Sequence, residues 1–241
     1  MNKKLALSIP LLLLAGFVLT AANPAAHWGY EGDTGPENWG DLDPSYQLCK
    51  TGKEQSPIDL GSPTDKAGTP LKFHYQPSAL HLVNNGHTIQ QNYDPGSYVT
   101  YGRKDFELKQ FHSHHNSEHT VNVRHCPMEM HLVHVAADGE VLVVGIFLKN
   151  GLGNRTLGKV FGNIPNESGG KVDSASMQID IGAVIPEGSA IYSYDGSFTT
   201  PPGTEGVNWF VFQDAVSLSP LQIRKFSKLY PNNYRPVQPL N

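Results

Sequence analysis

The chain has 241 residues, 39% hydrophobic and 17% charged, enough to enclose one full hydrophobic core in a single domain. A formal charge of −4, with no cluster of basic residues, excludes the electrostatic footprint of a nucleic-acid binder. The 24 glycines and 18 prolines favour frequent turns over long helices.

The first element is a leader. Lys3 and Lys4 precede an apolar run from Leu5 to Leu19, and Thr20-Ala21-Ala22 supplies small residues at a cut after Ala22. Basic end, apolar middle and small-residue cut define a secretory signal peptide over 1–22. The run contains Pro10 and falls short of the roughly 20 residues that span a bilayer, so no stable membrane insertion is expected after cleavage. Residues 23–241 then form one exported domain, periplasmic or secreted. Cys49 and Cys126 are the only cysteines, and they can pair only if their Cα atoms come within about 7 Å.

Residues 27–57, rich in Gly, Pro, Trp and Asp, read as an irregular wrapping segment. Short alternating runs follow: Leu71 to Tyr75, Leu80 to Val83, Thr88 to Gln91 and Phe106 to Lys109. Turn residues such as Asn84-Asn85-Gly86 and Asp94-Pro95-Gly96 separate them, which predicts a strand-rich domain. Val141 to Leu148 is nearly continuous in apolar residues and predicts a strand buried on both faces. Ser219-Pro220 opens the one helix the sequence signals clearly, with Ile223, Phe226 and Leu229 turned inward.

Seven of the 11 histidines fall between residues 111 and 134. In a strand, side chains two residues apart share a face, so His112 and His114 can converge on one ion while His115 points away. The stretch MEMHLVHV (128–135) is a second strand, with Glu129, His131, Val133 and Val135 on one face. His134 shares the other face with Met128, Met130 and Leu132 and reads as a core histidine. Metal-bound histidines usually donate their second ring N–H to a fixed acceptor, and Gln110 and Glu129 stand two residues from His112 and His131. His112, His114 and His131 are therefore the candidate ligands, with zinc as the expected ion. Three neutral imidazoles leave a fourth position open, as catalytic rather than structural zinc sites do. The chain has neither an H-E-x-x-H nor a G-x-S-x-G motif.

In their order and spacing, HWGY (27–30), QSPIDL (55–60), NNGH (84–87), QFHSH (110–114), SEHTV (117–121), EMHLVH (129–134), GIFLK (145–149) and TTPP (199–202) resemble the α-class carbonic anhydrases from His27 to Asn241. The resemblance implies a mainly β (α+β) single domain with a large twisted, mostly antiparallel sheet, short peripheral helices and a conical cleft. It implies reversible hydration of carbon dioxide to bicarbonate by zinc hydroxide, the same three ligands, and Gln110, Glu129 and the carbonyl of Asn233 behind them. Thr199, its own O–H committed to Glu118, would orient the attacking oxygen. Val133, Val143, Phe198, Val207 and Trp209 would wall the substrate pocket with Thr199 and Thr200, and His87 would carry the proton outward past Tyr30 and Asn85. Where many relatives have a cysteine after TTPP, this chain has Gly203, so Cys49 and Cys126 are expected to stay unpaired. Phe198 replaces a more usual leucine, and the larger ring should crowd the cleft. The expected partners are carbon dioxide and bicarbonate, with the protein a monomer or homodimer. The rival expectation is a catalytically weak or silent periplasmic zinc-binding relative; silent relatives typically lose a ligand, and none is lost here.

Overall fold

The computed structural model describes residues 26–61 and 71–239; the proposed signal peptide lies outside them. Twelve strands follow one another: β1 (Lys72–His74), β2 (Ser78–Asn84), β3 (Ile89–Asn92), β4 (Tyr98–Tyr101), β5 (Lys104–His114), β6 (Thr120–Val121), β7 (Arg124–His125), β8 (Met128–Ala136), β9 (Val141–Asn150), β10 (Lys171–Ile179), β11 (Ile191–Ser197) and β12 (Glu205–Leu218). Ten form one sheet in the order β10-β2-β3-β5-β8-β9-β12-β11, with β4 also on β5 and β1 on β4. Every pairing in it is antiparallel except β9 with β12. The small β6–β7 hairpin stands apart.

Helices are few and short: α1 (Trp39–Leu42), α2 (Leu48–Thr51), α3 (Arg155–Gly162) and α4 (Pro220–Ser227). The segment read as irregular holds α1, α2 and two single 3-10 turns. α4 begins as expected, with a capping box between Ser219 and Gln222 and Pro220 in the first turn. Leu229, expected inside that helix, lies beyond its end but still packs against the core. α3 is not among the elements expected from the sequence, although Asn154 caps it and its buried Leu157, Val160 and Phe161 stand at i, i+3 and i+4, the apolar repeat of a short helix.

Two apolar clusters flank the sheet, and β9 serves both. Its Leu142, Val144, Ile146 and Leu148 enter one cluster, while Val143 and Phe147 enter the other with Trp209 and Val211. That explains its unbroken apolar sequence. β5 behaves less simply. Phe106 and Leu108 face the larger core, and so does Phe111, three residues on. A register shift between Leu108 and Gln110 re-phases the strand, as a bulge does. Gln110, His112 and His114 are thereby turned off the core face that Phe106 and Leu108 occupy.

Candidate metal centre and active site

β5 and β8 lie side by side with His112 opposite His131 and His114 opposite Glu129. The three imidazole centroids are 5.1, 5.4 and 4.6 Å apart, and one nitrogen from each lies within 4.8 Å of the others. The remaining nitrogens have acceptors. His112 Nδ1 donates to Gln110 Oε1 at 2.8 Å, His114 Nδ1 to the Asn233 carbonyl at 2.7 Å, and His131 Nε2 to Glu129 Oε1 at 3.0 Å. These acceptors fix each tautomer and leave lone pairs on His112 Nε2, His114 Nε2 and His131 Nδ1. Burial, and then the neighbouring imidazoles, hold His112 well below the usual histidine pKa. Burial also lowers His114, against the opposing pull of Glu118. The lowered values keep His112 and His114 neutral at pH 7, as coordination to a divalent cation requires.

The fit to a metal can be tested on the atoms themselves. His114 Nε2 is buried without any hydrogen-bond partner, and so is Glu118 Oε2, 3.5 Å from it. Buried orphans of this kind cost free energy unless something binds them. A cation between the three nitrogens satisfies His114, so the residues fit zinc by donor type and number.

Glu129 is anchored unusually well. Its Oε2 accepts the backbone N–H groups of Glu118 and His119, both at 2.9 Å, and its Oε1 accepts from His119 Nδ1 at 2.7 Å as well as from His131. Burial pushes its pKa up, but the adjacent His119 and His131 and their hydrogen bonds outweigh that and hold it well below the usual carboxylate range. Gly145 lies opposite His131 on β9, where a Cβ would come within 3.0 Å of Glu129 Oε1, so glycine makes room for the carboxylate.

A cavity of about 330 Å³ opens over the three histidines. Val133, Val143, Phe198 and Trp209 line one part of it, with Thr199 and Thr200 beside them. Tyr30, Asn85, His87 and Gln110 supply polar lining. Trp209 stands edge-on to His131, with centroids 4.8 Å apart. Two details depart from expectation. Val207 is buried among Val143 and Trp209 behind the wall and is not on the cavity surface. The bond from Thr199 to Glu118 is not made: Glu118 Oε1 accepts the Arg235 N–H at 2.8 Å, and Oε2 is turned toward His114 and His131.

His87 is half-buried at the cavity and stacks flat on Trp28, with centroids 3.7 Å apart and planes 5° from parallel. Burial, then the nearby His27, lowers its pKa. His134 behaves as a core histidine, bonded to Tyr75 Oη at 2.8 Å and the Leu142 carbonyl at 3.2 Å, and burial lowers its pKa to about 4. Cys49 and Cys126 are both free, as expected. A Cβ on Gly203 would lie 2.8 Å from Cys49 Sγ.

Sequence reasoning assigned no role to Trp28, His119 or Arg235. His119 joins Glu129 to Tyr194 Oη, at 2.6 Å, and Tyr194 donates to Ser56 Oγ. Arg235, 1% exposed, donates to Gln55 Oε1 and to the carbonyls of Ser56 and Cys49 while its N–H holds Glu118. No local pattern marks an arginine in PNNYRPVQ; the partners lie more than a hundred residues away.

The sheet-borne trio of imidazoles, open toward a half-apolar cavity, defines a pocket of the metalloenzyme class. A family model described as eukaryotic-type carbonic anhydrase matches residues 34–241. A carbonic anhydrase from Nostoc sp. is 46% identical over 89% of this chain and 83% of its own length, and one from Pectobacterium carotovorum is 38% identical over 98% and 96%. The structure of the α-carbonic anhydrase from Thermovibrio ammonificans with the inhibitor sulfanilamide superposes with a TM-score of 0.87, at 47% identity, over 90% of this chain and 97% of that one. The chain belongs to the eukaryotic-type (α) carbonic anhydrase family and is an enzyme of it, a carbonate dehydratase.

Proposed function

We propose that this enzyme hydrates carbon dioxide reversibly with zinc held by His112 Nε2, His114 Nε2 and His131 Nδ1, and that His87 passes the released proton to solvent outside the cytoplasm. The observation that carries the reading is the division of labour in each ring: one nitrogen donates to a fixed acceptor, and the other is left with a lone pair aimed at its two neighbours. Bound zinc would acidify water and so supply a nucleophile near neutral pH.

The chain's own groups would do the rest. Val133, Val143 and Trp209 offer carbon dioxide an apolar surface and no competing donor, which suits a linear gas with little to hydrogen-bond. Thr199 lines the same cavity, where its hydroxyl would aim the attacking oxygen. His87 titrates below its ordinary range, so at neutral pH it stands unprotonated and ready to accept. Tyr30 and Asn85 line the way to it.

Stopped-flow carbon dioxide hydration, with metal content measured on the same sample, tests the reading. One zinc per chain with hydration that a chelator abolishes is expected; zinc without hydration would favour a binding protein. His87→Ala should slow turnover mainly in weak buffer, with recovery on adding imidazole, and identical rates at every buffer strength would remove the relay. N-terminal sequencing of the exported protein, expected to begin at Asn23, tests the leader.

A further inference from the structure

Asn233 sits in the C-terminal segment beyond α4 and is 2% exposed. It uses both its main chain and its side chain. Its carbonyl takes the His114 Nδ1–H at 2.7 Å. Its Oδ1 accepts the His115 N–H at 2.9 Å. Its Nδ2 donates to two carbonyls, that of His87 at 3.1 Å and that of Ser113 at 3.2 Å. One residue thus touches the end of the ligand strand and the turn that carries His87.

The turn has other ties as well: His87 stacks on Trp28, and Asn84 bonds to Pro165, Gly169, Gly170 and Tyr230. Asn85 Oδ1 accepts the N–H groups of His87 and Thr88, at 3.0 and 2.9 Å, and closes the loop locally. On the side of β5 the Thr88 hydroxyl donates to the same Ser113 carbonyl at 2.6 Å, and β3 pairs with β5 from Gln90 onward. Asn233 is held in turn from the far side, because Arg235, two residues on, is locked by its guanidinium and by its N–H to Glu118. The amide is therefore a strut between the His87 turn and the end of β5.

We propose that the side chain of Asn233 is a positioning residue for proton transfer: it sets the separation between the three-histidine centre and His87, a role distinct from that of its carbonyl toward His114. This rests on the reading of His87 as the proton acceptor. Transfer across an intervening water chain depends steeply on distance, and a displacement of about 1 Å can cost a hundredfold. A loosened turn should therefore appear in the proton-transfer step and leave the carbon dioxide step much less affected.

The test compares Asn233→Asp and Asn233→Ser with the parent zinc enzyme. Aspartate keeps the acceptor for the His115 N–H but loses both donors and faces two carbonyl oxygens; serine is too short to reach either. The main-chain carbonyl survives in both. In weak buffer, kcat should fall about tenfold while kcat/KM falls about twofold, with zinc still near one per chain and kcat recovered by imidazole. A parallel fall in kcat and kcat/KM, or no fall in kcat, would overturn the proposal. Asn233→Ser combined with His87→Ala should be no slower in weak buffer than His87→Ala alone; additive losses would also overturn it. Should His87→Ala itself show no weak-buffer defect, the relay reading fails. A defect there without one in the Asn233 variants removes only the strut.

Discussion

Two clusters in this molecule share His131, and both have the spacing of a metal site: His112 and His114 with His131, and His119 and Glu129 with His131. Proximity does not separate them; hydrogen-bond capacity does. In the first, each ring keeps one nitrogen unpaired and His114 Nε2 is an orphan. In the second, Glu129 already accepts four hydrogen bonds and His119 is bonded through both nitrogens, so neither has a lone pair to spare for an ion. The first cluster is built to bind, and the second to hold His131 still.

The sharpest way to break this comparison is to truncate one histidine in each. His112→Ala should lose zinc and about a thousandfold or more in hydration rate while remaining folded. His119→Ala should retain zinc but lose about 2–4 kcal/mol in denaturant unfolding, because Glu129 and Tyr194 lose a buried partner. The reverse pattern would exchange the roles assigned to the two clusters.

His134 extends the contrast to a histidine with no ligand role. Its folded pKa of about 4 lies below the ordinary 6.5, so between those values the unfolded chain binds the proton more readily than the native one. Stability should be unaffected by this group above pH 6.5 and fall by about 3 kcal/mol in all as pH drops to 4. His134→Gln should flatten that part of the stability–pH curve, and an unchanged slope would refute the assignment. His81 has the opposite sign: the hydrogen bond its ring N–H donates to Asp173, with Asp94 also near, raises its pKa, so its smaller, solvent-exposed contribution is present at acid pH and fades as pH rises through the raised value.

Glu129→Gln sharpens the comparison further. An amide cannot accept from both His119 and His131 at one oxygen and two backbone N–H groups at the other, so His131 should lose orientation. Zinc affinity is expected to drop about 10- to 100-fold, measured by competition with a chelator. The smallest expected effect lies at the cavity wall. Phe198→Leu, which removes a ring from the lining, should raise kcat/KM a few-fold; an unchanged or lower value would show that this ring does not crowd substrate.

Much of the centre was legible because its logic is local. The H-x-H spacing, the alternation of MEMHLVHV and acceptors two residues from a ligand are consequences of strand geometry, and β8 keeps that geometry without interruption. β5 was legible only in part: Gln110, His112 and His114 share a face as expected, yet strict alternation from Phe106 would have put them with the core. The shift between Leu108 and Gln110 prevents it, and no residue in FELKQF announces the bulge. The Thr199–Glu118 bond, expected from the resemblance, is absent: Glu118 Oε2 has no hydrogen-bond partner and Oε1 accepts from the Arg235 N–H.

By itself the sequence determined the strand-rich character of the chain, the trio of candidate ligands, two of their three acceptors and the core role of His134, since each rests on side chains within a few residues of one another. Only the tertiary structure decided that the Asn233 side chain reaches the His87 carbonyl and that Arg235 holds Glu118. Those bonds join residues 146 and 117 positions apart. Hydrogen bonds across such distances depend on how the sheet and the C-terminal segment pack, and packing leaves no periodic trace in the chain.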